Sequence, residues 1–167
     1  MALRSDDAPP SESDPYAAVD ARRRSLGIIH ELALSLLKRY SLDDLLWLIA
    51  QSTISQLGFE DCVIYLLDPE RGVLVQRAAY GPKSPQGHQI VDPIEIPLGK
   101  GIVGRVAQTH KAELLGDVSK DENYIVDGEA RLSELAVPIV HEGRVLGVVD
   151  SEHSAANFYT AEHLEML

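Results

Sequence analysis

Cysteine is almost missing from this 167-residue chain, and its single copy, Cys62, has no partner for an internal disulfide. One thiol and no disulfide framework point to a reducing compartment, and the cytoplasm is the expected location. Positive charge is also scarce. Fifteen Lys and Arg stand against 26 Asp and Glu, a formal net charge of -11, so the chain repels phosphate backbones and nucleic acid is not an expected partner. The densest basic run, Arg22-Arg23-Arg24, lies in a helical segment near Asp20 and reads as a solvated helix face. Long apolar runs are lacking as well. "LLWLIA" falls far short of the roughly 20 residues that span a bilayer, no secretory core follows the start, and no membrane partner is expected. The histidines show no i, i+4 pair of the kind that grips zinc.

What is present is an ordinary globular composition, 45% hydrophobic and 25% charged, most simply one domain with extra terminal segments. Residues 1–15 are rich in Ser, Asp and Pro with little to bury, and a disordered tail is expected. Over residues 16–40 a helix is expected, with Leu26, Ile29, Ala33, Leu36 and Tyr40 on one stripe. Ile28, Leu32 and Leu37 widen that apolar face, which suits a dimerisation helix feeding a signalling protein as well as packing on its own domain. A second helix starts at Ser41, where "SLDD" offers a cap, and Gly58 closes it. Then the texture changes to strands. "DCVIYLL" and "GVLVQRAAY" flank the turn "DPERG"; a short strand "IEIPL", a helix of about ten residues and a short strand "AELLG" follow. "SELAVPIVHEGRVLGVVDSEH" reads as a second hairpin turning at "EG", and a last helix starts at Thr160. No Gly or Pro ends that helix, so a longer parent protein is expected.

Gly99-Lys100-Gly101-Ile102-Val103-Gly104 is a literal G-x-G-x-x-G, and Asp117 falls near where a ribose-binding acid could stand. Dinucleotide folds alternate strand and helix throughout, however, whereas this order is two helices, a hairpin, a small crossover, a hairpin and a helix. The glycines are better read as a tight turn into a helix packed close on a sheet.

Several motifs in order carry a resemblance. "CVIYLLDPERGVLVQRAAYG", "IPLGKGIVGRVAQTHKAELLGDVSKDENY" and "SELAVPIVHEGRVLGVVDSEH" resemble the GAF domain family of small-molecule sensor modules over roughly residues 41–167. The "GVVDSEH" and "FYTAEHLEML" ending is most similar to GAF domains that precede bacterial sensor histidine kinases. The resemblance implies an α+β fold: a central antiparallel sheet, helices on one face, and on the other a pocket covered by loops and the short helix. It further implies an input module whose missing C-terminal output domain is first of all a histidine kinase, then a cyclic-di-nucleotide synthase or a phosphatase. The partners expected on this basis are an unidentified small molecule and a second copy of the chain. The alternatives are a ligandless GAF dimerisation scaffold and a GAF-type redox enzyme.

Testing subfamily chemistries against the residues removes most cofactors. The spread signature of cyclic-nucleotide GAF domains cannot be placed, since Phe occurs only at Phe59 and Phe158. Cys62 falls in the first core strand, where a small buried hydrophobe is its usual role, so no covalent chromophore is expected, and one cysteine cannot supply a cycle of attack and resolution. His110, His141 and His153 sit at element ends and read as solvent-facing, so no haem is expected. Asp117, Asp121, Asn123, Asp127 and Glu129 form an acidic loop, but counting from Asp121 puts Ile125 and Val126 at Ca²⁺-loop positions five and six. His30-Glu31-Leu32 echoes a phosphoacceptor box without the residues that follow one. No nucleophile elbow, P-loop or acid–base pair is visible, and the reading is of a chain without catalytic machinery of its own. Strand alternation puts Leu135, Val137 and Ile139 on one face with Glu134 and Ala136 on the other, and Val63, Tyr65 and Leu67 alternate likewise. The pocket candidates are Tyr65, Ile102, Val106, Tyr124, Ile125, Arg131 and Leu135, with Tyr124 and Arg131 as polar or gating groups. For the apolar ones a filled core is the favoured reading, and Arg131 equally suits a salt bridge to a neighbouring carboxylate such as Glu129 or Glu134.

Overall fold

A computed structural model describes residues 40–81, 90, 92–125 and 131–167. The expected tail at 1–15 and all but the last residue of the expected helix at 16–40 lie outside them. The chain divides into two units, Met1–Ser41 and Leu42–Leu167, and the second carries the architecture.

Helix α1 spans Leu42–Leu57, directly after Ser41, with Asp43 and Asp44 in its first turn where the helix dipole favours negative charge. Leu46, Trp47, Ala50 and Thr53 form its buried stripe. It ends as its sequence dictates: Gly58 adopts φ 70° and its amide donates to the Ile54 carbonyl at 3.0 Å.

Six strands follow: β1 Cys62–Asp68, β2 Val73–Tyr80, β3 Glu95–Pro97, β4 Glu113–Leu115, β5 Ser133–His141 and β6 Arg144–His153. They make one antiparallel sheet in the order β3-β2-β1-β6-β5-β4. Two hairpins, β1–β2 and β5–β6, meet at a central seam where Val63 faces Asp150 and Tyr65 faces Val148. β3 and β4 lie at opposite edges, so the segment between them crosses the sheet, and helix α2, Gly101–Thr109, lies in that crossing.

Period-two alternation sorts the strand residues onto two covered faces. Cys62, Ile64, Ala78 and Val149 pack on Leu46, Trp47 and Ala50 of α1. Val63, Tyr65, Leu74, Ala136 and Val148 pack on Ile102, Val103, Val106 and Ala107 of α2. A third cluster joins Leu135 to Phe59 and Tyr159, whose rings meet edge to face at 5.1 Å. The short helix α3, Ala161–Met166, follows with a reciprocal cap: the Thr160 hydroxyl accepts from the His163 amide and the His163 ring accepts from the Thr160 amide. This is the α+β arrangement the sequence implied, with α1 covering one face and the crossing segment the other. Among the described residues no helix is long and apolar enough to cross a membrane.

Candidate functional site

The glycine stretch is the local device that builds the site. The Gly99 amide donates to the Gly104 carbonyl at 2.8 Å and the Lys100 amide to the Pro97 carbonyl at 3.0 Å, closing a tight turn between β3 and α2. A Cβ on Gly104 would stand 2.4 Å from the Pro97 carbonyl oxygen, so only glycine lets the helix pack this close to β3. Gly101 opens α2 at φ 62°, and a Cβ there would come within 2.9 Å of Ile125 Cδ1. The spacing that imitates a dinucleotide turn thus serves helix-on-strand and helix-on-loop packing inside an antiparallel sheet.

Beneath this turn lies a cavity of about 110 Å³. One wall is the first turn of α2, Gly101, Ile102 and Val103, and another is Ile94 through Pro97 on and before β3. Tyr124 and Ile125 close it from the crossing segment and Tyr65 lines it from β1. The remaining lining residues are Glu134 of β5 and Asp150 and Glu152 of β6, which are 3%, 3% and 2% exposed. Their convergence follows from register. Glu134 pairs directly with Glu152, and Asp150 sits two residues along β6 on the same face, opposite Ala136. The sheet therefore presents three buried carboxylates to one small, otherwise mainly apolar chamber. Burial raises the ionisation range of the Tyr124 phenol, and the neighbouring Glu152 and Glu134 charges raise it further, so it stands there as a neutral hydroxyl. Among the described residues no three of His, Cys, Asp or Glu are grouped to hold a metal ion.

Of the seven residues singled out in the sequence, Tyr65, Ile102, Tyr124 and Ile125 line this cavity. The other three are elsewhere. Val106 is wholly buried in the core between α2 and the sheet. Leu135 faces the opposite side, against Phe59 and Tyr159. Arg131 pairs with Glu60 at 2.9 Å and is not among the residues lining the chamber, and Glu129 is outside the described residues. Sequence reasoning missed the three carboxylates, although Glu134 had been placed on the face away from Leu135. The available signal was an acid at alternating positions inside apolar strands, "SEL" and "VDSE".

Cys62 is on the α1 face, away from the cavity. Burial pushes its thiol up to about 12, the Asp150 charge adding to the effect.

A family model described as GAF domain matches residues 40–167. A free methionine-R-sulfoxide reductase of Saccharomyces cerevisiae is 42% identical over 57 residues, which cover 33% of this chain and 31% of that protein. The chain spans between 31% and 45% of the length of the curated relatives it matches. Among solved structures, the GAF domain of an Acinetobacter phosphoenolpyruvate-protein phosphotransferase superposes with a TM-score of 0.67 at 23% identity, covering 85% of this chain and 84% of that one. A free methionine-R-sulfoxide reductase from Neisseria meningitidis, in complex with its substrate, gives 0.63 at 24% identity, covering 72% and 70%. These relatives overturn the expectation of a chain without catalytic machinery. The same fold is named as a reductase in sequence relatives and in structural neighbours, so it serves as an enzyme scaffold as well as a binding module.

Proposed function

The chain belongs to the GAF domain family, and on that footing we propose that its cavity receives a small free metabolite carrying a positively charged amine. The observation that supports this reading is the convergence of Glu134, Asp150 and Glu152 on one chamber. An ammonium has three N–H donors and no acceptor, and it suits a cluster of carboxylate acceptors better than any neutral or anionic group does. The apolar remainder, Ile94, Ile96, Ile102 and Val103, suits a short aliphatic or thioether body. At about 110 Å³ the chamber is below the range of drug-sized pockets and fits an amino-acid-sized ligand. In a longer signalling protein, occupancy would bias an output domain, with a histidine kinase the first candidate, and the chain would act as a homodimer.

A second reading comes from the names of the relatives: reduction of a free sulfoxide bound in this chamber. Methionine sulfoxide carries the required ammonium, so both readings share one ligand class. Its reduction takes two thiols to one disulfide and water as the sulfoxide becomes a thioether. With Cys62 on the far face of the sheet, an added dithiol would supply both thiols.

Isothermal titration calorimetry with L-methionine-R-sulfoxide, L-methionine and the analogue lacking the amine tests the ligand class. Binding that requires the amine is expected; equal binding of the deaminated analogue, or none by any of the three, overturns it. Chromatographic assay of methionine formed from the sulfoxide in dithiothreitol separates the readings. Turnover by the wild type and by Cys62→Ser alike establishes the reductase fed by external thiol, turnover lost in Cys62→Ser makes Cys62 the nucleophile, and binding without turnover leaves the receptor.

A further inference from the structure

Tyr124 and Ile125 close the cavity, yet Ile125 is 48% exposed and hydrophobic burial gives it little reason to stay in place. Tyr124 packs against the core beneath α2, and an ionic tie fixes the residues before it. Arg105, in the middle of α2, sets its guanidinium between two carboxylates. Nε and Nη2 donate to Glu113 of β4 at 2.7 and 2.5 Å, and Nη1 and Nη2 donate to Asp121 at 3.3 and 2.6 Å. Asp121 then organises the residues after it, its side chain accepting from the Asn123 amide at 2.8 Å and its carbonyl from the Tyr124 amide at 3.1 Å. Farther along, Ile125 rests on Gly101, at the start of the same helix.

We infer that Arg105 is a positioning residue for the cavity: through Asp121 it holds residues 121–125 so that Tyr124 and Ile125 stand over Glu134, Asp150 and Glu152. The inference rests on the reading of that cavity as a ligand site. One helix supplies a wall of the chamber through Gly101, Ile102 and Val103 and anchors its cover through Arg105, so wall and cover are fixed relative to each other. Arg suits the task because its planar fork reaches two carboxylates at once, which a lysine ammonium does with far less geometric definition. The tie to Glu113 fixes the Arg105 rotamer; the tie to Asp121 transmits the position.

Three single variants of the full chain separate these roles: Arg105→Gln, Asp121→Asn and Glu113→Gln. Amide hydrogen exchange at 123–125 is read without ligand, and affinity by calorimetry with L-methionine-R-sulfoxide. Arg105→Gln and Asp121→Asn are expected to speed exchange at those amides about tenfold and to weaken binding about tenfold, since a small misplacement of a positioning group has disproportionate effects. Glu113→Gln is expected to change both by less than twofold. Unchanged exchange in Arg105→Gln, or a Glu113→Gln effect equal to that of Asp121→Asn, overturns the inference and makes the network purely structural. If the wild-type protein binds none of the three titrated compounds, the ligand class proposed above falls while the exchange comparison still decides the role of Arg105.

Discussion

Replacing Glu152 with Gln should move stability and affinity in opposite directions. Glu152 lies directly across from Glu134 in the β5–β6 pair and on the same face as Asp150. Directly opposed side chains have Cβ atoms about 5 Å apart. At an effective dielectric near 20, two full charges at that separation repel by about 3 kcal/mol, and the Tyr124 hydroxyl beside Glu152 offsets part of it. Relieving part of that repulsion, about 1 kcal/mol, should raise the melting temperature of the ligand-free protein by roughly 3–5 °C for a domain of this size. The same change removes one charge-assisted hydrogen bond to the ligand's ammonium, about 2 kcal/mol or roughly thirtyfold in affinity. Differential scanning fluorimetry without ligand and calorimetry with L-methionine-R-sulfoxide read the two effects separately. A variant that melts lower and binds equally well would show that Glu152 is a structural acid, and the receptor reading would lose its main support.

Gly104→Ala is expected to lower the urea midpoint by the equivalent of about 2 kcal/mol, typical of an overpacked core, because the new Cβ meets the Pro97 carbonyl. A helix interior with room to spare would instead gain about 1 kcal/mol from the same change, so the sign alone decides. Cys62 should not react with Ellman's reagent at pH 8 in the folded protein: a thiol titrating near 12 is ionised only about once in ten thousand molecules, and it is buried as well. It should react fully in urea, and rapid labelling under native conditions would contradict its placement. Hydrogen bonds from Arg105 hold the Asp121 carboxyl below its usual range. A depressed folded value stabilises above the unfolded one and is lost on acidification. The stability gap between wild type and Asp121→Asn should therefore stay constant from pH 8 to about 5 and close as pH falls below about 4. A gap that changes between pH 8 and 6 would assign it to another group.

The strands, both hairpins and the glycine turn were legible because each is written locally: alternation in "CVIYLL", "DPERG" between two apolar runs, Gly58 after the last periodic residue of α1. The site was only half legible. Tyr65, Ile102, Tyr124 and Ile125 could be named because they follow strand alternation or flank recognisable turns. Glu134, Asp150 and Glu152 escaped because acids alternating with apolar residues usually mark the wet face of an antiparallel sheet. Here α2 and the crossing segment cover that face, so the polar side of each strand turns into a chamber. Leu135 packs on the opposite face, and its neighbour Glu134 lines the chamber. Local sequence points Arg131 toward neighbouring carboxylates, and the fold also brings it Glu60, a partner remote in sequence.

The strand order also bears on how the molecule forms. The middle of the sheet is the seam between β1 and β6, which brings Val63 against Asp150, while the hairpins on either side need only short loops. Closing a loop that long precedes any reward from the contacts it allows, so the docking of the two hairpins should set the folding rate. The crossing segment can settle over the sheet only once both halves are joined beneath it. A molecule bound in the chamber thus meets a seam that is already closed, and it should slow the parting of the hairpins while leaving the speed of their meeting unchanged.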